Sequence, residues 1–301
     1  MKIIIPDLLK KNVINSFPDG NIWIENLGNL FEYCLKKYSA ESYTFYPGLS
    51  FNFVSKIYIK GIPYVLKLSP SSEELKNETE AIKFMSDETA KIYDYEYSKG
   101  ILLEECFEPG EKLDILNNNA KETEIAFKIL KKINLKCDSE NFKDIIYFKK
   151  YIYLAEKEFS NDRYFRKEYF EIAKKCFCTY EKNTQKYFLH GDFHHYNIVY
   201  DKIKGWKVID PKGYVGEKEF DVAAYLRNNT VDTEKNTEER IKIFSLNNFY
   251  DAEKIINWGI TQNIISAYWS YEDSGQIDYK TFSVIDILYG ILKRRNKNER
   301  F

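Results

Sequence analysis

The sequence predicts an α+β protein of two lobes, a small antiparallel β-sheet lobe with one helix and a larger, mainly helical lobe. Two observations predict this fold class. Residues 42–106 hold short β-rich runs punctuated by single glycines, a pattern typical of strands joined by tight turns. From about Asn119 to Lys182 the apolar residues instead recur at every third and fourth position, which indicates amphipathic helices.

The first lobe is predicted to contain four β-rich runs and one helix. The runs are SYTFYPG, FNFVSKIYIK, IPYVLKLS and GILLEEC. The helix is predicted from about Ser71 to Met85, inside the sheet region. Ser71 or Ser72 supplies an N-cap and two glutamates lie in the first turn, where acids favour the helix dipole.

The second lobe is predicted to begin with three amphipathic helices, EIAFKILKKI, YFKKYIYLAEKEF and EYFEIAKKCF. Three short strands follow at 187–189, 198–200 and 206–209, and further helices run to the end. We therefore expect a first lobe of residues 1–105 and a second lobe of residues 106–301. A cleft between two such lobes is a usual place for a small-molecule site.

Composition and charge exclude several classes of partner. The 301 residues are 44% hydrophobic and 30% charged, as in a globular protein, and the net charge of -1 lacks the basic excess that nucleic-acid binding needs. No stretch resembles a membrane helix or a secretory signal. The five cysteines are irregularly spaced, which favours free thiols in a reducing cytoplasm. We expect a cytoplasmic monomer or homodimer with no nucleic-acid or membrane partner.

The strongest functional signal lies between residues 190 and 210. A His-Gly-Asp run ending at Asp192 is followed by Asn197 and, at the end of the next strand, by Asp210. These residue types suit phosphoryl transfer, in which one carboxylate orients the attacking hydroxyl while an amide oxygen and a second carboxylate hold Mg²⁺ against the phosphates. The spacing from Asp192 to Asn197 matches the D-x-x-x-x-N of the kinase catalytic loop.

Two further elements of such a site are predicted in the first lobe. Lys67 lies in the run VLKL on a predicted strand, from which a cation reaches the α- and β-phosphates. Glu78 on the following helix is the predicted partner of this lysine, with Glu74 and Glu80 as alternatives. In the turn YPGLSFN, the Ser50 hydroxyl and backbone N–H groups would cap a phosphate; an ordinary hairpin turn is the alternative.

These residues resemble a known family. LHGDFHHYNIV followed by VIDPKGYVGEKEFDVAAYLRN is similar to the aminoglycoside and hydroxyurea antibiotic-resistance kinases, the group that contains the streptomycin phosphotransferases. GNIWIENL, PYVLKLSP with NETEAI, GILLEECFEPGEKL and AYWSYEDSG agree with the same pattern, so the resemblance extends over most of the chain. It implies a bilobal protein-kinase-like fold and a phosphotransferase that uses ATP or GTP with Mg²⁺ to phosphorylate a small-molecule alcohol, such as an aminoglycoside.

The resemblance also implies individual roles. Asp192 would be the catalytic base, and Asn197 and Asp210 would bind Mg²⁺. Lys67, paired with Glu78, would contact the nucleotide phosphates.

At the hinge between the lobes, backbone groups of Glu104 and Cys106 would hydrogen-bond the nucleotide base, and Asp221 would support the catalytic loop. Lys212 lies beside the expected Mg²⁺ carboxylate in an Asp-Pro-Lys run, where protein kinases have Asp-Phe-Gly. This lysine would pair with the transferred phosphate or the substrate, or else form a salt bridge with a neighbouring acid. Since no activation segment follows, regulation by phosphorylation and a protein substrate are not expected.

A cationic acceptor would need carboxylates near the site. Glu272 and Asp273 lie beside aromatic residues at a predicted helix end, and these carboxylates would accept charge-assisted hydrogen bonds from an ammonium or guanidinium group. A solvated surface is the alternative. Within the catalytic loop, His194 and His195 are predicted to be packing and hydrogen-bonding residues rather than metal ligands, and His190 is predicted to hold the loop backbone.

Two other functions compete with this interpretation. A ketosamine (fructosamine) kinase or another small-molecule kinase also suits the Asp-Pro run, and an acceptor panel would separate these. A catalytically inactive, nucleotide-binding pseudo-kinase is the alternative from another class. The presence of Lys67, Asp192, Asn197 and Asp210 argues against it, because a degenerate site usually loses one of them.

Overall fold

The computed structural model describes residues 3–138, 140–162, 166–183, 185–227 and 233–298. The chain divides into two compact units. The first comprises Met1–Gly110 and Asp201–Ile203, and the second comprises Glu111–Tyr200 and Lys204–Phe301.

The first unit is built on a five-stranded antiparallel sheet. Its strands are β1 (Ser42–Phe45), β2 (Phe53–Ile59), β3 (Ile62–Leu68), β4 (Ile92–Glu96) and β5 (Ile101–Glu105), in the order β1-β2-β3-β5-β4. Helices α1 (Asp7–Ser16) and α2 (Gly20–Lys37) precede the sheet, and α3 (Ser72–Met85) connects β3 to β4. The Ser71 side chain accepts a hydrogen bond from the Glu74 N–H at 3.1 Å, so the predicted cap and helix are confirmed.

The sequence led us to expect one helix in this unit, and that expectation was incomplete, because α1 and α2 precede the sheet. In α2, Ile24, Leu27, Phe31 and Cys34 follow one another at helical spacing and are all buried. They share a core with Leu66 and Leu68 of β3 and with Ile101 and Leu103 of β5. Leu102 instead contacts Leu75 and Ile82 of α3, since successive strand residues point to opposite faces.

The second unit is mainly helical, with short strands that carry its loops. Strand β6 (Pro109–Lys112) contains the boundary between the units. The elements after it are, in chain order, α4 (Asn119–Ile133), β7 (Lys143–Asp144), α5 (Lys149–Phe159), α6 (Lys167–Glu181), β8 (Tyr187–Leu189), β9 (Ile198–Asp201), β10 (Gly205–Val208), β11 (Tyr214–Gly216), α7 (Glu219–Arg227), α8 (Glu234–Ser245), α9 (Ala252–Ser274) and α10 (Tyr279–Asn298). Strand β11 pairs in parallel with β7 and antiparallel with β8.

Helix α9 is the central helix of this unit and packs against α5, α6, α7, α8 and α10. Its Trp258 is completely buried, with ring edges of Phe177 and Phe220 at centroid distances of 5.1 Å and 5.3 Å. Among the described residues, no helix combines the length and apolarity needed to cross a bilayer. The α+β class is therefore confirmed, with an antiparallel sheet in the first unit and a helical second unit.

Candidate functional site

In the first unit, the structure pairs Lys67 with Glu78. Lys67 lies on β3 between Leu66 and Leu68, whose side chains face the core shared with α1 and α2, so the lysine points to the opposite face. Its Nζ donates a hydrogen bond to the Glu78 carboxylate on α3, and both residues are more than nine-tenths buried.

The alternative glutamates on α3 have other positions. Glu80 forms an exposed ion pair with Lys83 at 2.7 Å, and Glu74 lies exposed in the first turn. Of the three candidates, only the Glu78 carboxylate accepts a hydrogen bond from Lys67 in the contacts of the described chain.

The other nucleotide-site candidates of this unit lie in the turn between β1 and β2 and at the end of β5. Ser50 is exposed in the turn between β1 and β2. Glu104 is buried in β5, opposite Val65 of β3. Cys106 follows β5, with its Sγ 3.7 Å from the Tyr46 hydroxyl, and burial raises the pKa of this thiol.

In the second unit, the loop between β8 and β9 is held by His190. The ring is completely buried; its Nε2 lies 3.0 Å from the Ile209 carbonyl oxygen, and its Nδ1 accepts a hydrogen bond from the Asp192 N–H at 3.3 Å. Nε2–H is therefore the donor to Ile209. Burial lowers the pKa of His190 to about 4, so the ring is neutral at pH 7 and fits the predicted role of holding the loop backbone.

Asp221 of α7 also holds the backbone of the loop between β8 and β9. Its carboxylate accepts hydrogen bonds from the backbone N–H groups of His190 at 2.8 Å and Gly191 at 2.9 Å. A third bond comes from the Asn134 amide at 2.9 Å. Burial raises the pKa of Asp221 to about 6, while these three donors act in the opposite direction. The contacts are those expected of a structural support.

Gly191 has a conformation and surroundings that only glycine tolerates. Its φ is +84°, and a Cβ at this position would lie 2.4 Å from Cδ2 of Tyr214. A side chain here would therefore be strained and would clash with the tyrosine ring. The close contact fixes Tyr214 of β11 directly against the loop that carries Asp192.

Asp192 and Asn197 lie together in this loop. The Asn197 Nδ2 donates to the Asp192 carbonyl oxygen at 2.9 Å and lies 3.4 Å from its Oδ2. His194 Nε2 lies 3.5 Å from Asp192 Oδ1. Burial alone would raise the pKa of Asp192, but the hydrogen bond from His194 and the positive charge of Lys212 outweigh it, so the pKa is well below its usual range. Asp192 is therefore ionised at neutral pH.

Asp210 follows the end of β10 in a left-handed conformation, with φ at +57°, which is uncommon outside glycine and asparagine-like residues. The Ile209 N–H donates to the Asn197 carbonyl oxygen at 3.0 Å, and the Lys212 N–H donates to the His190 carbonyl oxygen at 2.7 Å. The backbone on both sides of Asp210 is therefore bonded to the loop that carries Asp192 and Asn197.

Asn197 and Asp210 fit a Mg²⁺ site by donor chemistry. Because the amide nitrogen of Asn197 is used by Asp192, the amide oxygen is the atom left to face a cation, and carboxylate and amide oxygens are ligands that Mg²⁺ prefers. Within the described ranges, no group of three or more His, Cys, Asp or Glu side chains is arranged to hold a metal.

Of the acceptor-side candidates, Lys212 lies near enough for its charge to lower the pKa of Asp192, whereas Glu272 and Asp273 are not brought to Asp192 by any contact in the described part of the unit. Glu272 and Asp273 lie exposed in the last turn of α9, and Lys212 is exposed beside the catalytic loop. Aromatic rings connect the two regions. Tyr214 contacts Phe148 at a centroid distance of 5.2 Å, and Phe148 contacts Trp269 of α9 at 5.8 Å.

The structure adds residues that sequence reasoning missed. Asn134, at the end of α4, joins Asp221 to Tyr250, whose hydroxyl donates to the asparagine at 2.8 Å. Arg227 is near enough for the Asp192 charge to oppose the lowering of its pKa by burial. These partners are distant in sequence from the loop motif, so no local pattern marks them.

Comparison with known proteins adds to these observations. A family model described as aminoglycoside/hydroxyurea antibiotic resistance kinase matches residues 48–274. The streptomycin 3''-kinase of Klebsiella pneumoniae is 31% identical over 115 residues, which are 36% of this chain and 42% of that protein. The matched region thus spans less than half the length of this curated relative.

Solved kinase structures share the fold. Choline kinase LicA from Streptococcus pneumoniae superposes with a TM-score of 0.60 at 18% identity, covering 87% of this chain and 98% of that one. Aminoglycoside phosphotransferase APH(4)-Ia with ADP and hygromycin B gives 0.60 at 11% identity, covering 86% and 97%. Spectinomycin phosphotransferase APH(9)-Ia with ADP and spectinomycin gives 0.58 at 12%, covering 87% and 97%.

At these identities the structural likeness concerns the fold alone, and it confirms the protein-kinase-like fold that the motifs implied. The family model reaches from the turn before β2 to the end of α9 and so includes every candidate residue of the catalytic loop. The resemblance inferred from the sequence is confirmed. The chain belongs to the aminoglycoside/hydroxyurea antibiotic resistance kinase family.

Proposed function

We propose that this protein is a small-molecule kinase that transfers the γ-phosphoryl group of ATP or GTP to an alcohol of a cationic acceptor such as an aminoglycoside. The observation that carries the proposal is the ionised Asp192 carboxylate, held in one loop with the amide of Asn197. We expect the enzyme to act in the cytoplasm as a monomer or homodimer.

Asp192 is proposed to accept a hydrogen bond from the acceptor hydroxyl and to take its proton as the new P–O bond forms. A carboxylate with a lowered pKa is a weak base, so its main contribution is the direction in which it holds the hydroxyl. This suits phosphoryl transfer, whose loose transition state depends on positioning and charge more than on a strong base. The γ-phosphoryl group moves to the hydroxyl oxygen, and the nucleoside diphosphate leaves.

Asn197 and Asp210 are proposed to hold Mg²⁺, which would neutralise charge on the phosphate oxygens. Lys67 is proposed to contact the α- and β-phosphates, and its buried bond to Glu78 supports this role because the carboxylate fixes the ammonium group. The Ser50 turn would then lie against a phosphate.

Backbone groups of Glu104 and Cys106 are proposed to hydrogen-bond the nucleotide base. Cys106 comes directly after the last residue of β5, so its backbone lies beyond the end of that strand. The domain roles follow, with nucleotide binding in residues 1–105 and catalysis with acceptor binding in residues 106–301.

The acceptor is proposed to be cationic and to carry a ring or apolar face. Glu272 and Asp273 are exposed carboxylates at the end of α9, about one helical turn after Trp269. The aromatic contacts from Trp269 through Phe148 to Tyr214 end against the catalytic loop. Aromatic faces and carboxylates together favour ammonium and guanidinium groups, and Lys212 would meet the transferred phosphate.

The test is a coupled nucleoside-diphosphate assay with ATP or GTP across streptomycin, other aminocyclitols, hydroxyurea, ketosamines and choline. We expect transfer to at least one aminocyclitol, and we expect Asp192→Ala to lower kcat by about 10²–10⁴-fold with nucleotide affinity nearly intact. Transfer to ketosamines or choline alone would replace the proposed acceptor. Nucleotide binding without transfer to any of them would favour the pseudo-kinase.

A further inference from the structure

We propose that His194 is a positioning residue for phosphoryl transfer, which fixes the direction of the Asp192 carboxylate through its Nε2–H group. The proposal rests on the role given to Asp192 in the proposed function. The sequence predicts only packing and hydrogen bonding for His194, with no metal-ligand role.

The position of the ring follows from the local backbone. His194 is in an extended conformation immediately before a short 3₁₀ turn at His195–Asn197, and its Nδ1 accepts a hydrogen bond from the Tyr196 N–H at 3.3 Å. This bond caps the turn and fixes the ring plane. On the other side of the ring, Nε2 lies 3.5 Å from Asp192 Oδ1 and 3.3 Å from Asn197 Nδ2.

The tautomer of His194 follows from these contacts. A backbone N–H is always a donor, so the Nδ1 atom that faces the Tyr196 N–H must be the acceptor. In the neutral ring the proton is then on Nε2. The nearer contact of Nε2, Asn197 Nδ2, is itself a donor, so the Asp192 Oδ1 atom is the acceptor available to the Nε2–H among the contacts of the described chain.

The Asp192 carboxylate needs such a constraint because rotation about its terminal torsion is broad and roughly two-fold. Oδ2 lies 3.4 Å from the Asn197 amide nitrogen, and Oδ1 faces His194. One donor for each oxygen fixes the carboxylate plane, whereas one donor alone leaves the plane free to turn. Both distances are long, as catalytic hydrogen bonds often are before the substrate binds.

The three histidines of the loop differ in a way that supports this assignment. His190 and His195 are at most 2% exposed, and His195 stacks on Tyr225 at a centroid distance of 4.2 Å. The His194 side chain is 15% exposed. It is the one histidine of the loop that lies against the Asp192 carboxylate without being buried in the core, so its removal is expected to change geometry rather than stability.

The test compares His194→Ala with His194→Gln, whose amide N–H approximates the position of Nε2–H. Tyr196→Phe is the matched control in the same loop, because it keeps the backbone donor and the ring. We expect His194→Ala to lower kcat by about 10–100-fold, the scale of a small misplacement of a catalytic group. The acceptor KM, the nucleotide Kd and the Tm are expected to stay close to the wild type. His194→Gln should recover most of the lost kcat, and His194→Ala should cost little more in an Asp192→Asn background, since the two residues act as a unit.

A kcat within about twofold of wild type for His194→Ala would overturn the inference, as would a Gln variant no better than the Ala variant. A large fall in Tm for both variants would show a structural role instead. Histidine ¹⁵N NMR supplies a readout that needs no turnover. A protonated Nδ1 at His194 would refute the inference even if no substrate that accepts the phosphoryl group were found. A wild-type protein that transferred phosphate to no substrate but had the Nε2–H tautomer would count against the proposed function alone.

Discussion

Replacement of Glu78 by glutamine tests the buried ion pair of the first unit. Lys67 is 2% exposed and Glu78 is 8% exposed, so the ammonium group would lose its carboxylate partner in a place that water hardly reaches. Glu80→Gln is the matched control on the same helix, because Glu80 pairs with Lys83 at 2.7 Å with both side chains at least one-third exposed.

The two variants are expected to differ by several kcal/mol. Removing one partner of a buried pair withdraws a counter-charge from a group that water hardly reaches, which costs about 3–5 kcal/mol. Removing one partner of an exposed pair costs about 0–1 kcal/mol, because solvent and salt already screen it. The double variant Lys67→Met/Glu78→Gln removes both charges, so we expect it to be more stable than Glu78→Gln alone.

Native-state hydrogen exchange of the β3 amides measures this loss in the first unit specifically, since exchange of core strand amides reports the free energy of unfolding. We expect the β3 amides of Glu78→Gln to lose about 3 kcal/mol of protection and those of Glu80→Gln to change little. If Glu78→Gln and Glu80→Gln lost the same amount of protection, the pair would not be the buried contact described above. The same conclusion would follow if the losses of the single variants Lys67→Met and Glu78→Gln simply added in the double variant.

Three further predictions concern the second unit. Asn197→Ala and Asp210→Ala are expected to abolish the gain in nucleotide affinity that Mg²⁺ provides, measured by calorimetry with and without the metal; a metal-dependent gain that survived in both would contradict their role. Stability is expected to fall as the pH falls from about 6.5 towards 4, because the pKa values of His190 and His195 are lowered to about 4 and about 3, so the unfolded chain binds two protons that the native state does not. Asp221, with a pKa raised to about 6, acts in the opposite direction because it binds its proton first in the native state. Near pH 5 the unfolded chain then binds about one proton more than the native state, so the free energy of unfolding changes by about 1.4 kcal/mol per pH unit. Urea denaturation at pH 7.5, 6 and 5 measures this change, and a free energy of unfolding that rose on acidification would refute it. Glu272→Gln/Asp273→Asn is expected to raise the acceptor KM with kcat retained, and an unchanged KM would return these residues to the solvated surface.

The parts of the fold that could be predicted from sequence are those whose signal is local. The helix capped by Ser71 was predicted because a side-chain acceptor, acidic first turn and apolar spacing occur within fifteen residues. Strand β4, in contrast, was not singled out. Its sequence IYDYE alternates between partly buried and exposed residues, and its pairing with β5 contains an irregularity between Ile92 and Asp94, so strand formation there depends on the neighbour.

The candidate site shows the same division. The spacing of Asp192, Asn197 and Asp210 was readable because one loop and the next strand end carry all three, although their catalytic roles stay predictions. The support beneath the loop was not readable in full. Asn134 reaches Asp221 across 87 positions and Tyr250 across 116, and the energetic reason for these contacts, the burial of polar groups that must be satisfied, exists only once α4 and α7 are folded.

Helix α9 has a buried part and an exposed end, which differ in how they tolerate substitution. Most residues from Ala252 to Tyr268 are buried in the centre of the unit, and substitutions of those residues would disturb several neighbouring helices. Its final residues, Glu272 to Ser274, are exposed, where substitutions usually change stability by no more than about 0.5 kcal/mol. If the acceptor does bind at these residues, as proposed, its binding can be altered by substitution at the tip of α9 with little effect on the packing of the rest of the unit.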